Sequence, residues 1–288
     1  MSSWTLDDLA GLARPAILEE LSIDAIFASR QAELVERLQA AGIDYSVGTQ
    51  ETDPAMILLQ EGAFEETLLR ARANDVARAR YLYYARGTEV DHLGAFYDVT
   101  RLTGEPDGRF KLRIRLAVQG RSTGGTEPGY RGAALGASLR VADARVYRDG
   151  RAPIIHVAVF STDNNGVADE TLLGLVRAAL EQADRQVIND TIDVRSAVVD
   201  VVPVAADVWL LPDADVSLVT TLRDGLQAAW AEASGLGRDL TRAWLASRLM
   251  ADGVANVVVT APAADLVVPF DRAVRLGLPT LAYRGRSY

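Results

Sequence analysis

The chain has 288 residues, of which 49% are hydrophobic, and its net charge is −9, values that indicate folded domains rather than a disordered chain. Cysteine is absent, which excludes disulfides, thiolate catalysis and cysteine-bound metal sites. The acidity argues against nucleic acid as a general partner. The first 20 residues lack the pattern of a signal peptide, and no apolar stretch approaches the ~20 residues that span a bilayer. We therefore expect that the chain is made in the cytoplasm and does not insert into a membrane.

The N-terminal half is expected to be helical. Asp53-Pro54 has the form of a helix start, because the aspartate side chain can cap the first turn and proline fits its first position. The amphipathic pattern that follows is long, and Gly87 closes it. Apolar spacing predicts helices over residues 1–13, 15–41, 54–85 and 90–97.

The segment from residue 101 to residue 150 is more ambiguous. Residues 110–119 fit a strand or a helix, because Arg113 and Arg115 alternate with apolar residues. The stretch 120–132 is rich in Gly, Ser and Thr and is expected to be a flexible connector, and 133–136 has no clear preference. Residues 139–147 alternate as in a strand.

From residue 154 onward the pattern changes to strand, helix, strand, which is typical of small α/β modules. Residues 194–211 fit one long strand or two paired strands, and a duplication of 154–202 in 204–260 stays open. The other predicted elements are strands 154–160 and 254–260, a turn at 164–166, and helices 168–183, 216–233 and 240–251.

The expected class is α+β, with a helical N-terminal half of long bundle helices followed by small α/β modules. The predicted division is an N-terminal helical segment 1–50, a long-helix bundle region 51–100, a mixed connector 101–150, and α/β modules 151–215 and 216–288.

Residues that carry catalysis are scarce. His92 and His156 are the only histidines, and neither has a companion at metal-ligand spacing. We expect a hydrogen-bonded packing role for His156 and a surface or capping role for His92. Adjacent carboxylates such as Glu65 and Glu66 point about 100° apart on a helix, so they do not flank one substrate atom. No catalytic residue, metal site or cofactor is expected.

Two other clusters have structural interpretations. The glycines between residues 120 and 132 lack the Gly-Lys-Ser/Thr ending of a phosphate-binding loop. The basic residues near residue 110 are expected to meet protein carboxylates, because Glu105 and Asp107 lie close in sequence; they are Arg109, Lys111, Arg113 and Arg115.

The long predicted helix is also a candidate interface. It carries apolar residues on two sides, which suits a bundle shared between subunits. Tyr81 and Tyr84 share a helical face near its end, and tyrosines serve both cores and interfaces, so both roles stay open. The predicted interface residues are Leu68, Arg72, Val76, Tyr81 and Tyr84.

A series of short motifs runs through the middle of the chain. In order they are Asp53-Pro54, Arg70-Ala71-Arg72-Ala73-Asn74, Tyr84-Ala85-Arg86-Gly87, Asp91-His92-Leu93-Gly94, Arg101, Glu105-Pro106-Asp107-Gly108-Arg109-Phe110 and Tyr130. Their order and spacing resemble the baseplate J-like family, the wedge proteins of contractile phage tails and of related tail-like bacteriocins. Gly253-Val254 with Val257 and Pro262 looks like the family's closing strand, whereas His92 departs from a position that is usually apolar or small.

The resemblance implies a structural subunit of a baseplate wedge, in a virion or a tailocin particle assembled in the bacterial cytoplasm. The implied partners are a second copy of the chain, a smaller protein I-like wedge protein, neighbouring wedges, the hub and the sheath. The ring around the hub would transmit the trigger for sheath contraction. The structural motif residues in this interpretation are Asp53, Pro54, Gly87, Asp91, Arg101, Glu105, Arg109 and Tyr130.

Two alternatives of other classes stay open. A tail-associated cell-wall hydrolase would require an acid and a nucleophile in a cleft, for which the sequence offers no motif. A cytosolic protein-binding scaffold module would be favoured by a well-behaved monomer.

Overall fold

The computed structural model describes residues 11–43, 53–121, 125–150, 152–182 and 191–287. These residues contain eight α-helices and eight β-strands, which confirms the expected α+β class. The chain forms two compact units, the first made of Met1–Arg101 with Pro106–Leu112 and the second of Leu102–Glu105 with Arg113–Tyr288. The division into five segments stays a prediction. Most of the helix predicted over 1–13 lies outside the described residues.

The first unit contains helices α1 (Ile23–Ala40), α2 (Pro54–Arg78) and α3 (Thr88–Phe96), and helix α4 (Asp107–Gln119) begins in it. The Asp53 carboxylate accepts a hydrogen bond from the Ala55 N–H at 2.7 Å, with Pro54 in the first turn, as the sequence predicts. Helix α1 starts later than Pro15. Its N-cap is Ser22, whose hydroxyl accepts from the Ala25 N–H.

The long helix α2 ends at Arg78, before the predicted end near Ala85. The chain turns there: the N–H groups of Tyr84 and Ala85 both donate to the Tyr81 carbonyl at 2.9 Å. The rings of Tyr83 and Tyr84 pack edge to face, and Ala85 is fully buried. Because no proline interrupts the periodic pattern before Gly87, the sequence carries no local signal for this turn.

The ambiguous segment 110–119 is helical, since it forms most of α4, and Ile114 and Leu116 in its second-unit part are buried. The prediction of a flexible connector over residues 120–132 was partly wrong, because helix α5 (Glu127–Ala137) begins inside this segment. Thr126 caps α5. A Cβ at Gly120 would lie 2.6 Å from the Gly129 Cα, so the glycines here permit close backbone approach rather than flexibility.

A three-stranded sheet contains β1 (Val141–Tyr147), β2 (Ile154–Ser161) and β3 (Thr191–Ser196) in that order. Strand β1 is antiparallel to β2, and β2 is parallel to β3. Helix α6 (Glu170–Leu180) connects the two parallel strands and buries one apolar face. Its buried residues are Leu172, Leu173, Val176 and Leu180.

The rest of the second unit has a separate core. Strand β4 (Val198–Val202) pairs in parallel with β7 (Arg272–Leu276), and a second three-stranded sheet has the order β6 (Val254–Ala261), β5 (Ala205–Leu210), β8 (Thr280–Arg286). Helices α7 (Leu218–Ala233) and α8 (Arg242–Leu249) pack on this core. The Trp230 indole N–H donates to the Val274 carbonyl at 2.9 Å, which satisfies its polar atom in a buried position.

Two expectations for this region were wrong. Residues 194–211 form neither one strand nor a pair, because β3, β4 and β5 lie in three different sheets. The strand at 254–261 does not close the fold, since β7 and β8 follow it. The segments 154–202 and 204–260 also differ in connection, because β2 and β3 are parallel whereas β5 and β6 are antiparallel. No helix in the described part of the chain is both long and apolar enough to cross a bilayer.

Candidate assembly surface

Helix α2 exposes an apolar surface along its length. Six large side chains on it are between 51% and 72% exposed. We call this set the α2 strip; its members are Ile57, Leu58, Phe64, Leu68, Leu69 and Val76. Soluble monomers rarely expose contiguous apolar patches of this kind unless the patch has a partner.

The positions in the α2 strip follow the helical repeat. At about 100° per residue, the six positions cover an arc of about 140° on one side of the helix. The side that contacts the rest of the unit is different, and its buried residues are Met56, Ala63, Asn74 and Ala77. The apolar content of α2 is therefore two-sided, and one side has no cover within the described residues.

The predicted interface residues fall into two groups. Leu68 and Val76 belong to the α2 strip, and Arg72 is exposed within the same arc. Tyr81 and Tyr84 lie beyond the end of α2, so the argument that they share a helical face was wrong. Their rings pack edge to face with centroids 6.2 Å apart, and their role in an interface stays a prediction.

An ionic network joins α1 to α2. The Arg30 guanidinium donates two hydrogen bonds to Glu66 Oε2, at 2.9 and 2.6 Å, and Arg70 lies 2.7 Å from the other carboxylate oxygen. These donors, Arg30 first, lower the pKa of the Glu66 carboxyl. The i, i+4 spacing of Glu66 and Arg70 could have been read from the sequence; the contact with Arg30 depends on tertiary structure.

The segment before α1 is fixed to α2 by a buried asparagine. The Asn74 amide donates to the Glu19 carbonyl at 2.9 Å and accepts from the Glu19 N–H at 3.0 Å. Even so, α1 has no fully buried residue. A groove of about 690 Å³ opens between the helices. Its lining combines apolar and charged side chains, among them Leu21, Ile26, Leu34, Leu59, Glu33, Arg37 and the network of Arg30, Glu66 and Arg70. The α1–α2 pair is thus an incomplete bundle.

Three of the predicted motif residues meet in one polar network in the first unit. The Arg101 guanidinium lies 2.5 Å from Asp91 Oδ1 and 2.8 Å from Asp107 Oδ1, and it donates to the Gly87 carbonyl at 3.2 Å. The Gly87 N–H donates to Asp107 Oδ2 at 2.8 Å, and this bond is the main cause of a lowered pKa at Asp107. The guanidinium also stacks 4.5 Å over the ring of Phe110.

The network fixes the turn that precedes α3. Gly87 has φ = +53°, a conformation that favours glycine, and it is the N-cap of α3. It offers no side chain to cap the helix, so the carboxylates and Arg101 hold the backbone instead. Asp107 was not among the predicted site residues. Its sequence signal was its position at the start of α4, where acidic residues favour the helix dipole.

Motif residues in the second unit have separate surroundings. The Glu105 carboxylate is fully buried and lies 2.6 Å from Arg113 Nη1; it also accepts from the Leu102 N–H at 3.0 Å. The expectation that this basic cluster meets protein carboxylates is confirmed at Arg113. Tyr130 is 3% exposed and packs against Gly125, where a Cβ would lie 2.2 Å from the phenolic oxygen.

The described residues contain no group of three or more His, Asp or Glu side chains that could hold a metal ion, with either histidine or without. His92 is exposed on α3. His156 lies in β2 with Nδ1 2.8 Å from Asp193 Oδ2, a hydrogen-bonded packing position of the kind expected. Arg109, in the first unit, is half-buried on α4.

Comparison with known proteins decides the family. The Baseplate J-like N-terminal domain matches residues 51–107. Over 280 residues the chain is 33% identical to Baseplate protein J of Escherichia phage P2, an alignment that covers 91% of this chain and 92% of that protein. The chain belongs to the baseplate J-like family. The resemblance inferred from the short motifs is thereby confirmed.

The matched N-terminal domain of this baseplate J-like chain includes both features described in the first unit. The α2 strip falls within residues 51–107, as do Gly87, Asp91, Arg101 and Asp107. Tyr130 lies outside the matched segment. The α2 strip is therefore part of the family's N-terminal domain, whereas α1 precedes the matched segment.

Proposed function

We propose that this baseplate J-like chain is a structural subunit of the baseplate of a contractile phage-like tail and that it assembles into wedges around the central hub. The observation that carries the proposal is the α2 strip, an apolar surface within the matched N-terminal domain that no described residue covers. The similarity to Baseplate protein J of phage P2 supports the same role. On this proposal the chain's place is the baseplate of a virion or tailocin particle, and its assembly takes place in the bacterial cytoplasm.

The proposed partners are a second copy of the chain and a smaller, protein I-like wedge protein. Burying a leucine side chain completely is worth about 1.5–3 kcal/mol. Leu68 is 54% exposed, so burying this exposed part of its side chain contributes roughly 1 kcal/mol. Six such side chains give about 6 kcal/mol before the entropy cost of association. The open α1–α2 groove gives a partner helix a second surface to contact.

The proposed role is mechanical. Neighbouring wedges, the hub and the sheath would contact the assembled ring, and receptor binding at the fibres would favour a second arrangement of the wedge interfaces. Because a packed interface has discrete arrangements, a difference in interface free energy between two states can set the threshold for sheath contraction. No covalent chemistry enters this proposal.

The test introduces one charge into the α2 strip. We expect Leu68→Asp to weaken association by on the order of 3 kcal/mol, or roughly 100-fold, because the interface must then bury a carboxylate. Leu175→Asp is a matched control, since Leu175 is a helical leucine with 48% exposure in α6 of the second unit. Association is measured by sedimentation equilibrium of the full chain, alone and with the smaller wedge protein.

The two variants separate a specific interface from a general loss of solubility. If Leu68→Asp associates as tightly as the parent chain, or if Leu175→Asp is weakened equally, the α2 strip is not the assembly surface. Circular dichroism of both variants establishes that each remains folded before association is compared.

A further inference from the structure

A row of polar and aromatic side chains crosses the sheet β1–β2–β3. In the strand registers, His156 of β2 lies directly opposite Tyr147 of β1 and directly opposite Asp193 of β3. Arg195 lies two residues after Asp193, so it shares that face of β3. All four residues belong to the second unit. The proposed baseplate role makes no use of them.

One ring nitrogen of His156 has two partners of opposite character. Nδ1 is 2.8 Å from Asp193 Oδ2 and 2.5 Å from Arg195 Nη2. The His156 side chain is 15% exposed, whereas those of Asp193 and Arg195 are close to half exposed. The two partners also approach each other, with Arg195 Nε 3.4 Å from Asp193 Oδ2.

The two contacts require different protonation at Nδ1. Arginine only donates hydrogen bonds and an ionised aspartate only accepts them. A bare Nδ1 can accept from Arg195, but it then faces the lone pairs of Asp193. An Nδ1 that carries a proton can donate to Asp193, but it then faces an N–H of Arg195. No single state of the ring satisfies both neighbours.

The row continues from His156 to the segment before β7. The Tyr147 ring lies 5.2 Å from the His156 ring and 4.7 Å from the ring of Phe270. Its hydroxyl donates to Asp271 Oδ2 at 3.4 Å. The Arg195 guanidinium also lies over the face of the Tyr147 ring, 5.5 Å from its centre, so this cation contacts His156 and Tyr147 at the same time.

Other titratable groups around the row either pair with a group of opposite charge or keep their proton. Arg145, on the same face of β1 as Tyr147, lies 3.8 Å from Glu127. Burial is the main cause of a raised pKa at Tyr147, so its hydroxyl keeps its proton in the neutral range. The Asp271 carbonyl accepts from the Val198 N–H at 3.4 Å, which connects this segment to β4.

We propose that His156 is a proton-operated switch that selects the partner of Arg195 and thereby controls the contact of Tyr147 with Phe270 and Asp271. With the ring neutral, Nδ1 accepts from Arg195. On acidification Nδ1–H donates to Asp193, and the imidazolium repels the guanidinium, which changes the contact of Arg195 with the face of Tyr147. Histidine is the side chain that most commonly changes its charge between about pH 5 and 8, which is why the proposal places the proton on His156.

The first test is an NMR titration of the full chain. Because the sequence has only two histidines, long-range ¹H–¹⁵N spectra resolve each ring, and exposed His92 serves as the internal reference. We expect the titration midpoint of His156 to move upward in Arg195→Gln, which removes a neighbouring cation, and downward in Asp193→Asn, which removes a neighbouring anion. The His92 midpoint should not change in either variant.

The spectra also report the state of Nδ1 in the parent chain. Nδ1 should be unprotonated above the midpoint, with the ring proton on Nε2. A ring proton on Nδ1 above the midpoint overturns the switch, and so does a pair of variants that shift the midpoint in the same direction or leave it unchanged. Opposed shifts follow from the two neighbouring charges alone, so the protonation of Nδ1 above the midpoint is the result that distinguishes the switch.

A second test follows the far end of the row. Hydrogen exchange of peptides covering residues 266–276 is compared at about pH 5.5 and about pH 7.5 after correction for intrinsic rates. We expect protection to change between these conditions in the parent chain and to be the same at both in His156→Gln. Equal protection in the parent chain, or an unchanged difference in the variant, contradicts the coupling to Phe270 and Asp271.

Discussion

Replacing Arg101 by methionine removes the guanidinium that joins the carboxylates of the first unit while it keeps much of the side chain's apolar stem. The lost contacts are those with Asp91, Asp107 and the Gly87 carbonyl, and the stacking on Phe110. The change therefore tests whether this network stabilises the turn that leads into α3.

The size of the effect follows from exposure. A hydrogen bond to a charged group contributes about 1.5–3 kcal/mol, and an exposed ion pair about 0–1 kcal/mol. The Arg101 side chain is only 20% exposed, whereas Asp91 is 45% and Asp107 is 34% exposed, so water can replace part of what the carboxylates lose. We expect a loss of about 2–3 kcal/mol in the first unit.

Hydrogen exchange over residues 87–112 is the assay, because it reports the local free energy of opening. The expected loss corresponds to roughly a 30- to 150-fold decrease in protection. Arg101→Lys should be intermediate, since lysine keeps the charge and loses the planar fork. Arg78→Met is the control, because Arg78 and Asp75 form an exposed pair on α2, and its effect should stay under about 1 kcal/mol. Equal effects of Arg101→Met and Arg78→Met would refute the reasoning.

Two further predictions concern stability. Gly94→Ala should destabilise the fold by about 1–3 kcal/mol in thermal unfolding, because the new Cβ would lie 2.5 Å from Phe110 Cζ and 2.8 Å from a backbone carbonyl oxygen. The control, Gly174→Ala, has open space around its Cβ and should stabilise the fold by about 0.5–1 kcal/mol. Equal effects of the two substitutions would contradict this packing. The hydrogen bond from Gly87 lowers the pKa of Asp107 in the folded state, so its stabilisation is complete above the unfolded value of about 4 and is lost as the pH falls through the lower folded pKa. Urea unfolding across this range should show a weaker pH dependence in Asp107→Asn, and an unchanged dependence would exclude the contribution.

Local sequence signals predicted the ends of helices well where a capping residue or a proline marks the end. Asp53-Pro54 at the start of α2 is one example, since both the cap and the proline act within a few residues. The end of α2 gave no such signal. The turn at Tyr81–Ala85 depends on the packing of the tyrosine rings and the burial of Ala85, and periodicity does not contain that information.

Strand pairing was the least predictable part of the fold. Strands β3, β4 and β5 follow one another along the chain, yet β4 pairs with β7 and β5 pairs with β6 and β8. These partners lie far away in sequence. An apolar run predicts that a strand exists, but the choice of partner depends on contacts between distant segments.

The candidate site was predictable in part. The spacing along α2 indicated two apolar sides, and the structure distinguishes the covered side from the exposed α2 strip. The family resemblance singled out Gly87, Asp91 and Arg101, whereas the pairing of Arg101 with Asp107 required tertiary structure. The same holds for the buried pair of Glu105 and Arg113, because exposure decides the strength of an ion pair and sequence spacing does not report exposure.

The most direct test of the proposed baseplate role is the absolute mass of the full chain by light scattering on a sizing column, alone and after co-expression with the smaller wedge protein. The account predicts a stable complex of defined stoichiometry, with two copies of this chain and one partner. A strict monomer that binds no partner would contradict it.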